Sequence, residues 1–439
     1  MAGRLLAGVA RRAITPPAGT WMLGYANRDR AGSAVHDELY ATALALDDGR
    51  SRVVVVTCDL VFLHPEMVSE IRSRLTARTG VPAERIMLCC SHTHSGPATW
   101  RVGPPSDAPI DRYLERLADQ ICAAAFEAMR NVRPAVWGCG WGEVEIGMNR
   151  RQRLSGGGIG LGANPAGPVD RALSVVRVDE VDEQGEPVGP LAVLVHHACH
   201  AVCLSSNNYA FSADWPGVMR RQIEAESGAL VGFVQGACAD INPVGGPQDG
   251  FEGALRLGGL AAREALRIYS QIPLSRAIDL RGVRRVLDLP LKSEGAAGER
   301  SFADTASAVT GLSRDQALAW LDERFPWSAD LCPPRPGQAL CARMEVQVLG
   351  VGDLALIGLA AEPFVEIGVA LKERAPSACA LVAGYANGSV GYLATPQAYR
   401  EGGYEVASSY VYYRLPSPLA PRCAKLVISC ALDLASVLC

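Results

Sequence analysis

Residues 85–97 read RIMLCCSHTHSGP, an apolar run followed directly by two histidines and a Gly-Pro pair. The apolar part, Arg85 to Cys90, predicts a buried β-strand because it is short, uninterrupted and bounded by polar residues. Upstream, Val53 to Val56 predicts a second buried strand that ends in a Thr-Cys-Asp segment at Asp59. The stretch between them, Glu66 to Arg78, has the periodicity of a helix. Strand, helix and strand in this order indicate an α/β fold.

The same alternation continues along the chain. Further helices are predicted at Arg112 to Arg130 and from Trp215 to Ala225, and further strands at Leu191 to Val195, Ala229 to Val234, Ala342 to Leu349 and Leu354 to Leu359. Between about residues 293 and 338 lies a charged, helix-prone excursion, in which Ser313 to Glu323 is the clearest helix and Pro333 to Pro336 the exit. Because no repeat or low-complexity linker interrupts the pattern, we predict one catalytic domain over residues 1–439 that includes this excursion.

Composition excludes several classes of protein. The 42 Lys and Arg against 46 Asp and Glu leave a formal charge of −4, which argues against nucleic-acid binding. The 14 cysteines contain no CxxC pair, which excludes a zinc ribbon, and most lie in apolar runs typical of reduced, buried thiols. The first apolar stretch is interrupted by Arg11 and Arg12 and is too short for a signal segment or a membrane span. We therefore expect a cytoplasmic protein without stable membrane insertion that acts on a small molecule, as a monomer or a homo-oligomer.

All seven histidines lie in the first half of the chain, and four of them form two close pairs. His92 and His94 are two residues apart after a strand, so that in extended backbone their side chains point the same way. His197 and His200, spaced i and i+3, have the spacing to share a helical turn. Either pair is suited to hold a metal ion or to exchange protons.

A metal site completed from the second half of the chain needs a carboxylate, a phenolate or a thiolate, because no histidine follows His200. This directs attention to Glu362, in the segment Ala-Ala-Glu-Pro, and to the tyrosines after it. Zinc accepts nitrogen and oxygen ligands and lowers the pKa of a bound water from ~15.7 to about 7. Such a site is suited to hydrolysis near neutral pH.

The chain resembles the catalytic domain of the neutral, non-lysosomal ceramidases, which are zinc-dependent amidases. The most specific motif is His92-Thr-His-Ser-Gly-Pro97. The other matching segments extend over nearly the whole chain: Ile14 to Pro17, Gly24-Tyr25, His36-Asp37, Val56 to Asp59, Met148 to Arg150, Ala198 to His200, Ser212 to Asp214, Gly236 to Pro243, Glu362, Gly391 to Thr395 and Tyr404-Glu405.

The resemblance implies an α/β fold of layered mixed β-sheets flanked by helices, and one zinc ion per chain. It implies that the ligands of this zinc are His92, His200, Glu362 and Tyr392. It assigns His94 to the proton transfers of the reaction. Arg150 and Tyr404 correspond to the family residues that orient and polarise the scissile carbonyl, where negative charge develops.

Asn149, Arg151 and Asn242 are predicted to bind the substrate, and two of them, Arg151 and Asn242, differ from the family. Where ceramidases have a serine in an Asp-Val-Ser-Pro-Asn segment, this chain has Asn242, so we expect ceramide to be a poor substrate. Asn149 and Arg150 begin an arginine-rich run that continues with Arg151 and Arg153. On extended backbone Arg151 and Arg153 face away from Arg150, and they reach an anionic substrate only if the chain bends at the following glycines. The family's additional β-sandwich domain and secretion signal are not expected here.

Asp59, Asp214 and Asp240 follow the strands that carry the motifs. They are predicted either to orient a ligand histidine or to cap a helix or turn. The sequence also leaves the scissile bond open. An ester or lactone fits the same zinc site as an amide, and a homologue that binds a ligand without catalysis is a further alternative. The retention of His92, His200 and Glu362 favours an enzyme.

Overall fold

Two β-sheets packed face to face, with helices on their outer faces, form the α/β fold. The structure, a computed structural model, describes residues 5–102, 108–292, 295–325 and 340–438. The strands are β1 (Leu6–Ala13), β2 (Ala34–Val35), β3 (Tyr40–Asp47), β4 (Arg52–Cys58), β5 (Ile86–Cys90), β6 (Arg133–Glu143), β7 (Gly147–Arg153), β8 (Ile159–Asn164), β9 (Ala172–Val181), β10 (Pro187–His197), β11 (Ala210–Phe211), β12 (Leu230–Gln235), β13 (Ile241–Pro243), β14 (Leu280–Pro290), β15 (Cys341–Val351), β16 (Leu354–Leu359), β17 (Glu362–Pro363), β18 (Cys379–Ala383) and β19 (Tyr392–Leu393).

The helices alternate with these strands. They are α1 (Pro65–Thr79), α2 (Ala108–Arg130), α3 (Asp214–Ser227), α4 (Gly250–Tyr269), α5 (Gly295–Thr310), α6 (Arg314–Arg324), α7 (Val365–Arg374), α8 (Pro396–Glu401), α9 (Tyr404–Ala407) and α10 (Cys423–Leu438). Each predicted strand and helix named above is present, within a few residues of its predicted ends. The excursion contains α5 and α6, and Ser313 caps α6 by accepting from the backbone N–H of Gln316. Its predicted exit at Pro333 to Pro336 lies outside the described residues.

The larger sheet has eight strands in the order β12-β10-β9-β6-β1-β3-β4-β5 and mixes parallel with antiparallel neighbours. The pairs β10/β12 and β4/β5 are parallel, and the strands between them run antiparallel. The second sheet has four strands in the order β14-β15-β16-β18. The fold is therefore the layered mixed-sheet α/β architecture expected from the sequence.

Alternate residues of one strand face different layers. In β3, Leu44 and Leu46 belong to a cluster of buried side chains that also contains Leu349 and Leu356 of the second sheet. Ala43, on the other face of β3, packs in a cluster with residues of α2. The α3 and α4 helices cover β9, β10 and β12 through a third cluster. This period-2 alternation is what allows a sheet to be buried on both faces. Among the residues described, no helix combines the length and the apolar character that crossing a bilayer requires.

Candidate active site

The turn after β5 places His92 at the floor of a cavity. His92 has φ of +59°, a left-handed conformation that turns the chain sharply at the end of the strand. Its Nδ1 atom lies 2.9 Å from the carbonyl oxygen of Val61, which fixes the ring and directs Nε2 toward the other site residues. The backbone is thus not extended at His92, although the rings of His92 and His94 do meet: their Nε2 atoms are 3.0 Å apart.

His200 reaches the same point from the end of β10. Its Nδ1 lies 2.6 Å from the carbonyl oxygen of Cys238 and 3.0 Å from that of Ile241. Its Nε2 is buried and has no hydrogen-bond partner among the described residues. The prediction that His197 and His200 share a helical turn is wrong, because β10 continues through His197 and the following residues are not helical. His197 bonds elsewhere, with Nδ1 3.0 Å from the carbonyl oxygen of Ala172.

The second half of the chain supplies a carboxylate at this point. Glu362 and Tyr392 are paired residues of the short parallel strands β17 and β19. The Oε2 atom of Glu362 lies 3.5 Å from Nε2 of His92 and 3.8 Å from Nε2 of His200. The hydroxyl of Tyr385 donates to Oε2 at 3.4 Å, and the hydroxyl of Tyr413 donates to Oε1. The structure therefore brings together all four residues predicted as ligands.

This donor set fits a metal ion. One nitrogen from each of His92, His94 and His200 lies within 4.8 Å of the others. Burial lowers the pKa of His92 to about 3. Burial and then neighbouring charges hold the pKa values of His94 and His200 well below the usual range. All three imidazoles are thus neutral near pH 7, which is the state that binds metal. Within the described ranges nothing hydrogen-bonds to Nε2 of His200, and this nitrogen is suited to bind a metal ion.

Arg150 lies beside these donors and is held by three contacts. Its Nε donates to Glu405 at 3.0 Å, its Nη2 to the hydroxyl of Tyr392 at 3.0 Å, and its Nη1 to Oδ1 of Asn242 at 3.4 Å. Its guanidinium lies 6.0 Å from the ring centroid of Tyr404. The two residues predicted to polarise the carbonyl are therefore neighbours at the site.

Arg151 does not offer its guanidinium to a substrate, so its predicted binding role is corrected. Its Nη1 donates to the buried carboxylate of Glu405 at 2.6 Å and its Nη2 to the carbonyl of Gly402 at 2.7 Å. Arg153 is exposed and pairs with Glu401 at 3.0 Å. The chain continues as β7 through Arg153, so no bend turns either side chain inward.

Asn149 and the three predicted aspartates act on the scaffold and not on the histidines. Asn149 donates to Asp240 at 2.9 Å, and Asp240 also accepts from the backbone N–H of Val365 at 2.9 Å. Asp59 accepts from Arg220 at 2.6 Å. Asp214 accepts from the backbone N–H groups of residues 203 and 204 at 3.3 and 3.1 Å. The expectation that these aspartates orient ligand histidines is wrong: the backbone carbonyls of Val61, Cys238 and Ile241 do so. Of the two predicted functions, Asp214 and Asp240 show the second, since each accepts from backbone N–H groups of a turn or a helix start, whereas Asp59 forms an ion pair with Arg220.

The site opens into a cavity of about 370 Å³. His92, His94, Arg150, Glu362, Tyr392 and Tyr404 line its polar part. Aromatic side chains dominate the rest, among them Trp21, Phe62, Trp100 and Phe325. Asn149, Arg151 and Asn242 are not among the described residues that line the cavity. Asn242 contacts the site only indirectly, because its Oδ1 accepts from Arg150, which does line the cavity.

Sequence reasoning did not anticipate the roles of Tyr413, Glu405 and Arg28. Tyr413 and Tyr385 hold the Glu362 carboxylate, Glu405 holds two arginines, and Arg28 lines the cavity. The sequence analysis named Glu405 only as the second residue of a Tyr-Glu motif and gave it no function. Tyr413 and Arg28 lie in segments where no spacing or composition marked them.

Comparison with known proteins gives one consistent family. Residues 5–243 match the family model described as neutral/alkaline non-lysosomal ceramidase, N-terminal. The chain is 24% identical to the neutral ceramidase of Mycobacterium tuberculosis over 88% of its own length and 71% of that protein's. It is 23% identical to the neutral ceramidase of Pseudomonas aeruginosa, over 88% of this chain and 66% of that one. The crystal structure of the Pseudomonas aeruginosa enzyme superimposes with a TM-score of 0.73 at 20% identity, over 99% of this chain and 74% of that chain. This last likeness concerns the fold.

Proposed function

Because the chain belongs to the neutral/alkaline non-lysosomal ceramidase family, we propose that it is a zinc-dependent amidohydrolase that cleaves the amide bond of a small N-acylated substrate. One observation carries the proposal. The unprotonated Nε2 atoms of His92 and His200 converge on the Glu362 carboxylate, 3.5 and 3.8 Å away, at the floor of a cavity lined by Arg150 and Tyr404.

The residues proposed to hold the zinc ion are His92, His200, Glu362 and Tyr392. When bound, zinc would supply Lewis-acid activation of the attacking water. Neutral imidazoles, a carboxylate and a phenol oxygen suit this ion, which accepts nitrogen and oxygen ligands. Tyr392 is supported as a ligand by its pairing with Glu362 and by its contact with Arg150. Burial and the neighbouring Glu362 carboxylate raise the pKa of Tyr392 well above its usual value, so the positive charge of a bound ion would be needed to favour the phenolate.

The remaining residues divide the chemistry of amide cleavage. His94 is neutral, and its ring lies beside His92, with 3.0 Å between their Nε2 atoms. In the proposed reaction His94 accepts a proton from the attacking water and passes a proton to the leaving nitrogen. The Arg150 guanidinium and the Tyr404 hydroxyl stabilise the negative charge that develops on the carbonyl oxygen. Burial keeps Tyr404 protonated, since it raises the pKa of this side chain, so that the hydroxyl remains a donor at neutral pH. The aromatic walls exclude water and accommodate the acyl group.

Hydrolysis of a panel of substrates, with zinc and with a chelator, tests this proposal. We expect N-acyl compounds to be cleaved with added zinc, about one zinc per chain by elemental analysis, and loss of activity with the chelator. Long-chain ceramide should be a poor substrate, because Asn242 is engaged by Arg150 and a substrate group left unpaired there costs ~1–3 kcal/mol. Ester or lactone turnover without any amide turnover would contradict amidase activity, and ceramide turnover equal to the best compound would contradict the altered preference.

Replacement of His94 by alanine should separate proton transfer from metal binding. We expect kcat to fall by ~10² to 10⁴ because general acid-base catalysis contributes about this factor. Zinc occupancy should stay near that of the unsubstituted protein, since the proposed ligand set does not include His94. Elemental analysis beside steady-state kinetics measures both quantities. Loss of zinc in this variant would show that the third imidazole of the cluster is a ligand as well.

A further inference from the structure

Arg28 is a buried cation at the cavity that the proposed mechanism does not use. It lies in the loop between β1 and β2, and only 2% of its surface is exposed. Its Nη1 donates to the carbonyl oxygen of Leu23 at 2.7 Å. Its Nε and Nη2 atoms have no hydrogen-bond partner within the described ranges. These two nitrogens form one edge of the planar guanidinium, the edge that binds a carboxylate through two parallel hydrogen bonds.

The charge of Arg28 is poorly compensated by the protein itself. In the part of the chain that the structure describes, no carboxylate forms an ion pair with it. Its guanidinium lies 4.9 Å from the ring centroid of Tyr25, a cation-π contact that compensates for part of the lost hydration. Burial lowers the pKa of Arg28 to about 10, which still leaves the group charged at neutral pH. A buried charge whose donors have no partner is costly unless something pairs with it.

Arg28 reaches the cavity on the side of His94. The loop that carries it packs against His94 so closely that a Cβ atom at Gly24 would lie 2.5 Å from the Cβ of His94. The Tyr25 ring meets the His94 ring edge-on with a centroid distance of 5.0 Å. Since His94 is the residue proposed to protonate the leaving nitrogen, the amine part of the substrate lies nearest to Arg28.

We propose that Arg28 binds a carboxylate on the amine part of the substrate, so that the enzyme acts on N-acyl amino acids. The inference rests on the proposed amidase function, because that function places the amine part of the substrate beside His94 and therefore nearest to Arg28. In it, Nε and Nη2 of Arg28 donate to the two carboxylate oxygens, and the acyl group lies along the aromatic wall formed by Trp21, Phe62 and Trp100. Arg28 is thus a specificity-determining residue, separate from the residues that polarise the carbonyl.

Kinetics with a matched pair of compounds tests the carboxylate preference. N-octanoylglycine and N-octanoylglycinamide differ only in the charge at the position assigned to Arg28. With zinc-loaded enzyme we expect kcat/KM to be about 10- to 100-fold higher for the acid, the factor that charge-assisted hydrogen bonds contribute. Arg28→Gln should remove most of this preference by raising KM for the acid, with its kcat and the kinetics for the glycinamide changed less than about threefold. Arg28→Lys should retain part of the preference.

Arg30→Gln is the matched control, because Arg30 lies two residues away, is exposed and stacks on Tyr209. It should leave the preference unchanged. Equal kcat/KM of the unsubstituted enzyme for acid and amide would overturn the proposal without any variant. An equal loss for both compounds in Arg28→Gln would also overturn it and would assign Arg28 to the support of the loop.

Equilibrium binding separates this proposal from the amidase proposal. Calorimetry on the full chain with the metal removed by a chelator prevents both hydrolysis and binding of the carboxylate to zinc. We expect the acid to bind about tenfold more tightly than the glycinamide, and Arg28→Gln to abolish the difference. If this preference is found while the zinc-loaded protein hydrolyses neither compound, the carboxylate site stands and amide hydrolysis fails. If both compounds are hydrolysed and bind equally well, amide hydrolysis stands and the carboxylate site fails.

Discussion

Replacing His200 by alanine is expected to remove the bound metal and to reduce hydrolysis to the limit of detection. His200 is fully buried, and its Nδ1 is already fixed by the carbonyls of Cys238 and Ile241. Its Nε2 is therefore preset toward Glu362, and alanine leaves no donor at that point. Loss of one of the four proposed ligands would lower zinc affinity by orders of magnitude, and the buried Glu362 would then lack the metal ion that favours its charged form. Elemental analysis after dialysis, together with kcat at saturating substrate, measures the effect.

His197→Ala is the matched control for this experiment. His197 is equally buried, lies three residues away and also bonds a backbone carbonyl through Nδ1. It is not part of the cluster of three histidines. The control should lose stability in similar measure but keep its metal. Full zinc occupancy in the His200 variant, or equal metal loss in both variants, would remove His200 from the ligand set.

The second large effect is expected from Glu405→Gln. The Glu405 side chain is fully buried and its two oxygens accept from Arg150 and Arg151 at 3.0 and 2.6 Å. An uncharged amide removes the buried carboxylate that the two guanidinium groups share and leaves Arg151 only its longer contact with Glu401, and breaking a buried pair costs ~3–5 kcal/mol. We expect a loss of this size in the free energy of unfolding, measured by denaturant titration at pH 7. We also expect kcat to fall, because Arg150 is no longer held in place beside the carbonyl.

Glu401→Gln provides the comparison at the surface. Glu401 contacts the same arginine run, Arg151 at 3.6 Å and Arg153 at 3.0 Å, but at a partly exposed position. Such pairs contribute about 0–1 kcal/mol. A stability loss in Glu405→Gln no larger than that in Glu401→Gln would mean that solvent reaches the two guanidinium groups. It would end the assignment of Glu405 as the residue that positions Arg150.

Local patterns predicted the elements of this fold well because burial on both faces leaves a clear signal. The runs at 53–56 and 86–90 are strands of the larger sheet, and the capping serine at 313 marks the start of a helix as expected. The packing of the two sheets depends on residues as far apart as Leu44 and Leu356. The periodicity of a single segment does not reveal contacts between distant segments. The sequence therefore predicted layered sheets but not which sheet packs against which.

The site, like the fold, was predictable where local patterns decide and not where distant contacts decide. Residue type and resemblance brought attention to His92, His200 and Glu362, which the structure places together. The histidine pair at 197 and 200 misled because spacing alone does not distinguish a helical turn from the end of a strand. Alternation along an extended strand predicted that Arg151 faces away from Arg150, and of the two only Arg150 lines the cavity, but the contact of both arginines with Glu405 was not predicted. Side-chain direction at such positions depends on pairing with distant strands.

The pairing of β17 with β19 has a consequence for the order of events in folding. Glu362 and Tyr392 lie on these two strands, which come from the second half of the chain, whereas His92 and His200 follow strands of the larger sheet. The four donors meet only when segments about 300 residues apart have docked, which is a slow, non-local step. A metal ion that requires all four donors is therefore expected to bind after this docking. We expect added zinc to slow unfolding while leaving the refolding rate unchanged, because the transition state does not yet contain the complete site.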